Sequence, residues 1–98
     1  MTVSEFLVSV ANGSAPPGAP LLHALWLDAR GDWEGAHRVA QEVDTADGAW
    51  VHAYLHRKEG DLGNARYWYR RAGRDEAADA LEIEWARLVE ALLPPDRP

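Results

Sequence analysis

The residues in this chain best suited to chemistry are its histidines, four among 98 residues. In the run His52-Ala53-Tyr54-Leu55-His56-Arg57-Lys58-Glu59, two imidazoles stand four positions apart and a carboxylate follows three further on. On a helix, side chains at i and i+4 have Cβ atoms about 6 Å apart, so both rings can reach one ion while Glu59 adds an oxygen or orients a ring. That spacing expects a metal-binding protein or metal-dependent enzyme centred on His52, His56 and Glu59, with His23 as a further contributor. It is not the His-Glu-x-x-His arrangement of metalloproteases, because Ala53 follows the first histidine and no acid lies between the pair to act as general base. The competing reading makes His23 and His52 core residues, each bonded to a nearby carbonyl or carboxylate, whose burial as neutral rings renders folding acid-sensitive. His37 and His56 then belong to the surface or to an interface.

Trp50, Tyr54, Arg57 and Lys58 form a second constellation at i, i+4, i+7 and i+8 of one helix. Two amphipathic rings and two cations on one face suit an acidic peptide or a small anion. The plainer alternative packs both rings inward and lays Arg57 and Lys58 over them in solvent. A third group, Tyr67-Trp68-Tyr69-Arg70-Arg71, is too dense for one buried stripe, since consecutive helical residues point about 100° apart. Tyr69 falls with Ala65 and Ala72 on the inner face, leaving Tyr67 or Trp68 for a ligand, a partner or a second copy of the chain.

Other chemistry is excluded by what is missing. The chain has no cysteine, hence no disulfide, thiolate nucleophile or thiolate metal site. Neither a phosphate-binding Gly-x-x-x-x-Gly-Lys loop nor a Gly-x-Gly-x-x-Gly turn occurs, and no cofactor is called for. A net charge of -6 opposes a broad grip on nucleic acid. No apolar run reaches the roughly 20 residues of a membrane span, and the N-terminus lacks a basic secretory flank, so no membrane association and a cytoplasmic address are expected.

These side chains must be positioned by helices. Thr2 and Glu5 have capping-box spacing ahead of a helix over 3–11, and residues 12–20 read as a Pro- and Gly-rich loop. Gly31-Asp32 and Gly60-Asp61 each end one helix and cap the next, which places helices over 20–30, 33–43, 48–59 and 62–72. A last helix over 75–93 would put Ala77, Leu81, Trp85, Leu88 and Leu92 on one stripe. The expected fold is all-α, about six helices in one domain. The acids Asp28, Asp32, Asp61, Glu82, Glu84 and Glu90 read as caps or solvated helix faces.

An offset of 29 residues superimposes His23-Ala24 on His52-Ala53, Gly31-Asp32 on Gly60-Asp61, and Ala36 on Ala65. The pattern is a duplicated helical hairpin, over 20–43 and 48–72, in which alanines let antiparallel helices approach closely. The helices at 3–11 and 75–93 would cover the open ends.

The hairpin from Ala53 through Gly60-Asp61 to Ala72 resembles a tetratricopeptide repeat. Asn64-Ala65-Arg66-Tyr67-Trp68-Tyr69-Arg70-Arg71-Ala72 is similar to the second helix of the related Sel-one-like repeat. The resemblance implies a non-catalytic scaffold or adaptor that binds a protein or peptide, acidic in character, along the concave face lined by the first helix of each hairpin. Trp50, Tyr54, Arg57 and Lys58 would be the contact set there, continued by Leu21, Leu25 and Asp28, with Tyr67 and Trp68 as a second surface. A homo-oligomer joined through the exposed rings is a third option.

Overall fold

Four of the six helices start at a side-chain cap. The computed structural model describes residues 1–14 and 18–94, which form six helices and no strand among the described residues. Thr2 accepts from the Glu5 N–H while Glu5 Oε1 accepts from the Thr2 N–H, closing the capping box that starts α1 (Val3–Asn12). Proline occupies the first turn of α2 (Pro20–Ala29), where its missing N–H costs nothing. Of the loop expected over 12–20, residues 15–17 lie outside the described residues. Asp32 then caps α3 (Trp33–Gln41) through the Gly35 N–H, Thr45 caps α4 (Ala46–Glu59) through the Gly48 N–H, and Asp61 caps α5 (Leu62–Ala72) through the Asn64 N–H. Gly31 and Gly60 turn the chain at φ of 91° and 92°, a backbone that residues with a Cβ rarely adopt. α6 (Leu81–Leu92) closes the order.

The helix α4 lies at the centre. Gly48 through His56 are buried without interruption, as expected of a helix whose apolar residues run around its whole circumference and not along one stripe. It packs against α5 in one hairpin and α2 packs against α3 in the other, with further contacts from α4 to α3, α2 and α6. Ala24, Ala36, Ala53 and Ala65 are all buried, as their small size and spacing require. At Gly48 a side chain would run into the Val43 carbonyl, so only glycine lets the 43–45 segment fold back across the start of α4.

The last helix departs from the expected range. Residues 75–80 are not helical, and α6 starts only at Leu81 after an extended Ala80. This segment is held in place by side chains: Arg57 donates to the Asp79 carbonyl and Arg87 to Asp79 Oδ2 at 2.6 Å, while Arg74 lies 3.5 Å over the Trp50 ring. Of these contacts, the one from Arg57 takes a backbone carbonyl, Asp79, that a helix over this segment would use in its own ladder.

Docking of α6 rests on buried polar anchors. Trp85 donates its indole N–H to the Leu25 carbonyl at 3.0 Å and meets Phe6 of α1 at 5.7 Å. Glu84, which the sequence places on a solvated face, is 1% exposed and accepts from Tyr69, Trp50 and Arg57. Asp28 is likewise buried, accepting from the Tyr54 hydroxyl and the Lys58 ammonium. Both acids escape the cost of burial because cations and hydroxyl or indole donors satisfy them.

Candidate metal centre

Packing α3 against α4 brings together side chains that are far apart in the sequence. His52 and His56 stand one turn apart on α4, and His37 reaches them from α3. The ligand nitrogens of His37, His52 and His56 lie within 4.8 Å of one another, and His37 Nε2 and His52 Nε2 are 2.9 Å apart. The His37 ring meets both others edge-on, at centroid distances of 4.5 and 5.0 Å. Three imidazoles converging from two helices match the donor set that transition metals of the zinc class prefer, and they leave coordination positions for an exogenous ligand.

The surroundings fix these rings. His56 Nδ1 and Glu59 Oε1 are 2.6 Å apart, so the carboxylate holds the proton on Nδ1 and leaves Nε2 as the nitrogen available to an ion. Trp33 stacks on His37 at 5.0 Å and meets His56 edge-on, its own indole N–H anchored to the Leu55 carbonyl at 2.8 Å. On the other side Trp68 stacks on His52 at 3.9 Å. Burial, followed by the neighbouring His37 and His56, pushes His52 down to about 4. His37 is lowered for the same reasons, burial first and then His56, with Glu59 opposing. Both rings are therefore neutral near pH 7, the form that binds a cation.

A cavity of about 350 Å³ adjoins the cluster, bounded by His52, Trp68, Arg71, Asp44, Thr45 and Ala49. A second, more apolar cleft of about 300 Å³ lies between α1, α4 and α6, lined by Leu7, Tyr54, Lys58, Leu81 and Trp85.

No protein-family model, curated protein or solved structure matches this chain. The site therefore has to be read from its own chemistry.

Among the residues singled out from the sequence, His52 and His56 come together as the i, i+4 spacing expects. Glu59 stands behind His56 as its hydrogen-bond partner and is not grouped with the three converging ring nitrogens. His23 is a correction on both readings. It is exposed, stacked on Trp26 at 5.9 Å, and belongs neither to the core nor to the cluster, because its position on α2 faces away from α4. His37, expected at the surface or an interface, completes the cluster instead. No local spacing announces it, and only the packing of α3 on α4 joins positions 37 and 52.

The aromatic and basic set is distributed differently from an open face. Trp50 and Tyr54 are 3% and 2% exposed, bonded to Glu84 and Asp28, and Arg57 is tied to Glu84 at 2.9 Å. Here α6 fills the face that a concave groove would offer, and Leu21, Leu25 and Asp28 lie beneath it as core. Lys58 keeps an exposed side chain while pairing with Asp28 at 3.0 Å. Of the second surface, Tyr67 is 48% exposed and Trp68 half-buried against His52. Among the described residues no helix is long and apolar enough to cross a membrane.

Proposed function

We propose that this protein binds a single transition-metal ion of the zinc class, with His37, His52 and His56 as ligands and Glu59 orienting His56. The observation that carries this reading is the convergence of three ring nitrogens within 4.8 Å, from two helices, with a carboxylate behind one of them. Structural metal sites and catalytic ones share that inner ligand and outer carboxylate pairing. The low proton affinity of His52 and His37 supports it too, since neither ring must lose a proton to bind an ion at neutral pH. Arg57 and Lys58 do not oppose the cation, because each is neutralised by a carboxylate on another side of α4. Elemental analysis of protein prepared without a polyhistidine tag, after growth with zinc, manganese and iron, tests the proposal. One equivalent of a bound first-row metal is expected. Metal well below stoichiometric amounts in protein that also fails to take up added zinc would refute it.

One observation favours a second reading, in line with the tetratricopeptide-like resemblance. The cleft beside Leu7, Leu81 and Trp85 is also lined by Tyr54, Lys58, Asp28 and Glu82, and Leu7, Val8 and Ile83 are about half exposed on α1 and α6. An amphipathic peptide that lays its apolar face in the cleft fits that combination. Peptides of this kind should bind the wild-type chain and lose affinity for Leu7→Asp. Equal affinity for both would remove the cleft from consideration.

A further inference from the structure

The cavity next to the histidines carries a further assignment, which rests on the metal reading above. We infer that it holds a small oxyanion, a carboxylate or a tetrahedral oxyanion, bound to the metal on one side and to Arg71 on the other. Three protein nitrogens leave a zinc-type ion at least one open position. The space for an outside ligand is the 350 Å³ cavity, which His52 lines and His37 and His56 do not. Its walls carry one cation, Arg71, and one carboxylate, Asp44, whose side chain is turned almost wholly to solvent. Arg71 Cζ sits 5.1 Å over the Trp68 ring, the ring that stacks on His52, so the guanidinium is held above the cluster by an aromatic layer.

Arg71 is poorly occupied within the chain. Its one hydrogen bond among the described residues goes to the Tyr67 hydroxyl at 3.2 Å. Its contact with Asp44 is 3.9 Å, beyond hydrogen-bond reach, and Asp44 is 99% exposed. One N–H of its planar fork is taken by Tyr67, and the other four donors are left beside the polar cavity. In a chain of net charge -6, an arginine so placed selects for an oxyanion that two positive groups clamp together. Gln41 and Thr45 add neutral polar groups to the same walls.

The test uses the full chain loaded with Co(II), whose visible bands report coordination, titrated separately with acetate and with sulfate. The expected result is a saturable change in the bands for at least one of these anions. In Arg71→Ala the same cobalt spectrum and the same cobalt affinity should persist, while the anion binds about tenfold or more weakly. The half-exposed position of Arg71 leaves the fold of that variant intact, which circular dichroism would verify. Cobalt binding with no response to either anion overturns the inference but leaves the metal site standing. An equal response in Arg71→Ala also overturns it, by showing that the metal alone binds the anion. Failure of cobalt to bind at all removes the metal reading and this inference together.

Discussion

His37 Nε2 and His52 Nε2 stand 2.9 Å apart although 15 positions of chain separate them. The pairing exists because the chain after α3 folds back over the N-terminus of α4, which only a glycine at position 48 permits. Backbone packing thus creates a convergence of imidazoles that a helix face alone would supply only in part.

Glu59→Gln tests the carboxylate behind His56. The neutral amide is a weaker acceptor for the Nδ1 proton and, through its NH2, can also favour the other tautomer, and weakening such an outer partner lowers metal affinity by about 10 to 100-fold. Zinc competition against a chromophoric chelator measures this, and the thermal midpoint of the metal-free protein should change little, because Glu59 is exposed.

Acid should unfold the metal-free protein earlier than its carboxylates alone require. His52 has an ordinary value of 6.5 and is brought down to about 4 by burial and by the facing His37 and His56, with Trp68 covering its other side. The unfolded chain therefore takes up this proton near pH 6.5 and the folded chain only near 4. Stability from this residue is complete above 6.5 and is lost as pH falls through that window, on the order of 3 kcal/mol in all. Lowered His37 acts in the same direction. Urea denaturation at pH 7 and pH 5 should show the loss in the wild type and a smaller loss in His52→Phe.

Arg57→Ala would strand Glu84, a carboxylate 1% exposed, without its cation. Breaking such a buried pair typically costs about 3 to 5 kcal/mol. Lys58→Ala leaves Asp28, also 1% exposed at its side chain, with only the Tyr54 hydroxyl, and should cost less than Arg57→Ala, about 1 to 3 kcal/mol, because water can enter where the partly exposed Lys58 stood. Chemical denaturation of both variants compares the two, and similar losses would show that Glu84 is not the strut holding α6.

Gly48→Ala should destabilise the protein by about 1 to 3 kcal/mol and weaken metal binding as well, because the added methyl displaces the Val43 carbonyl and with it the approach of α3 to α4. A loss of stability with unchanged zinc affinity would show that the two helices hold their relation by other contacts.

Much of the architecture was legible in the sequence. Gly31-Asp32, Gly60-Asp61 and the Thr2/Glu5 pair act locally, through capping and through positive φ, so their meaning does not depend on distant parts of the chain. The i, i+4 spacing of His52 and His56 is local in the same way. What sequence reading missed is non-local. The inclusion of His37 depends on α3 lying against α4, and the burial of Asp28 and Glu84 depends on α6 crossing the face that Trp50 and Tyr54 would otherwise expose. The start of α6 at Leu81 was also hidden, because arginines from α4 and α6 hold Asp79 from outside its own segment.

The most direct measurement is a zinc titration of the wild-type chain beside His37→Ala and His23→Ala. One ion per chain should bind the wild type and His23→Ala with equal affinity, and His37→Ala should bind about 100-fold more weakly or not at all. Zinc binding that is indifferent to His37, or that depends on His23 instead, would contradict a three-histidine centre between α3 and α4.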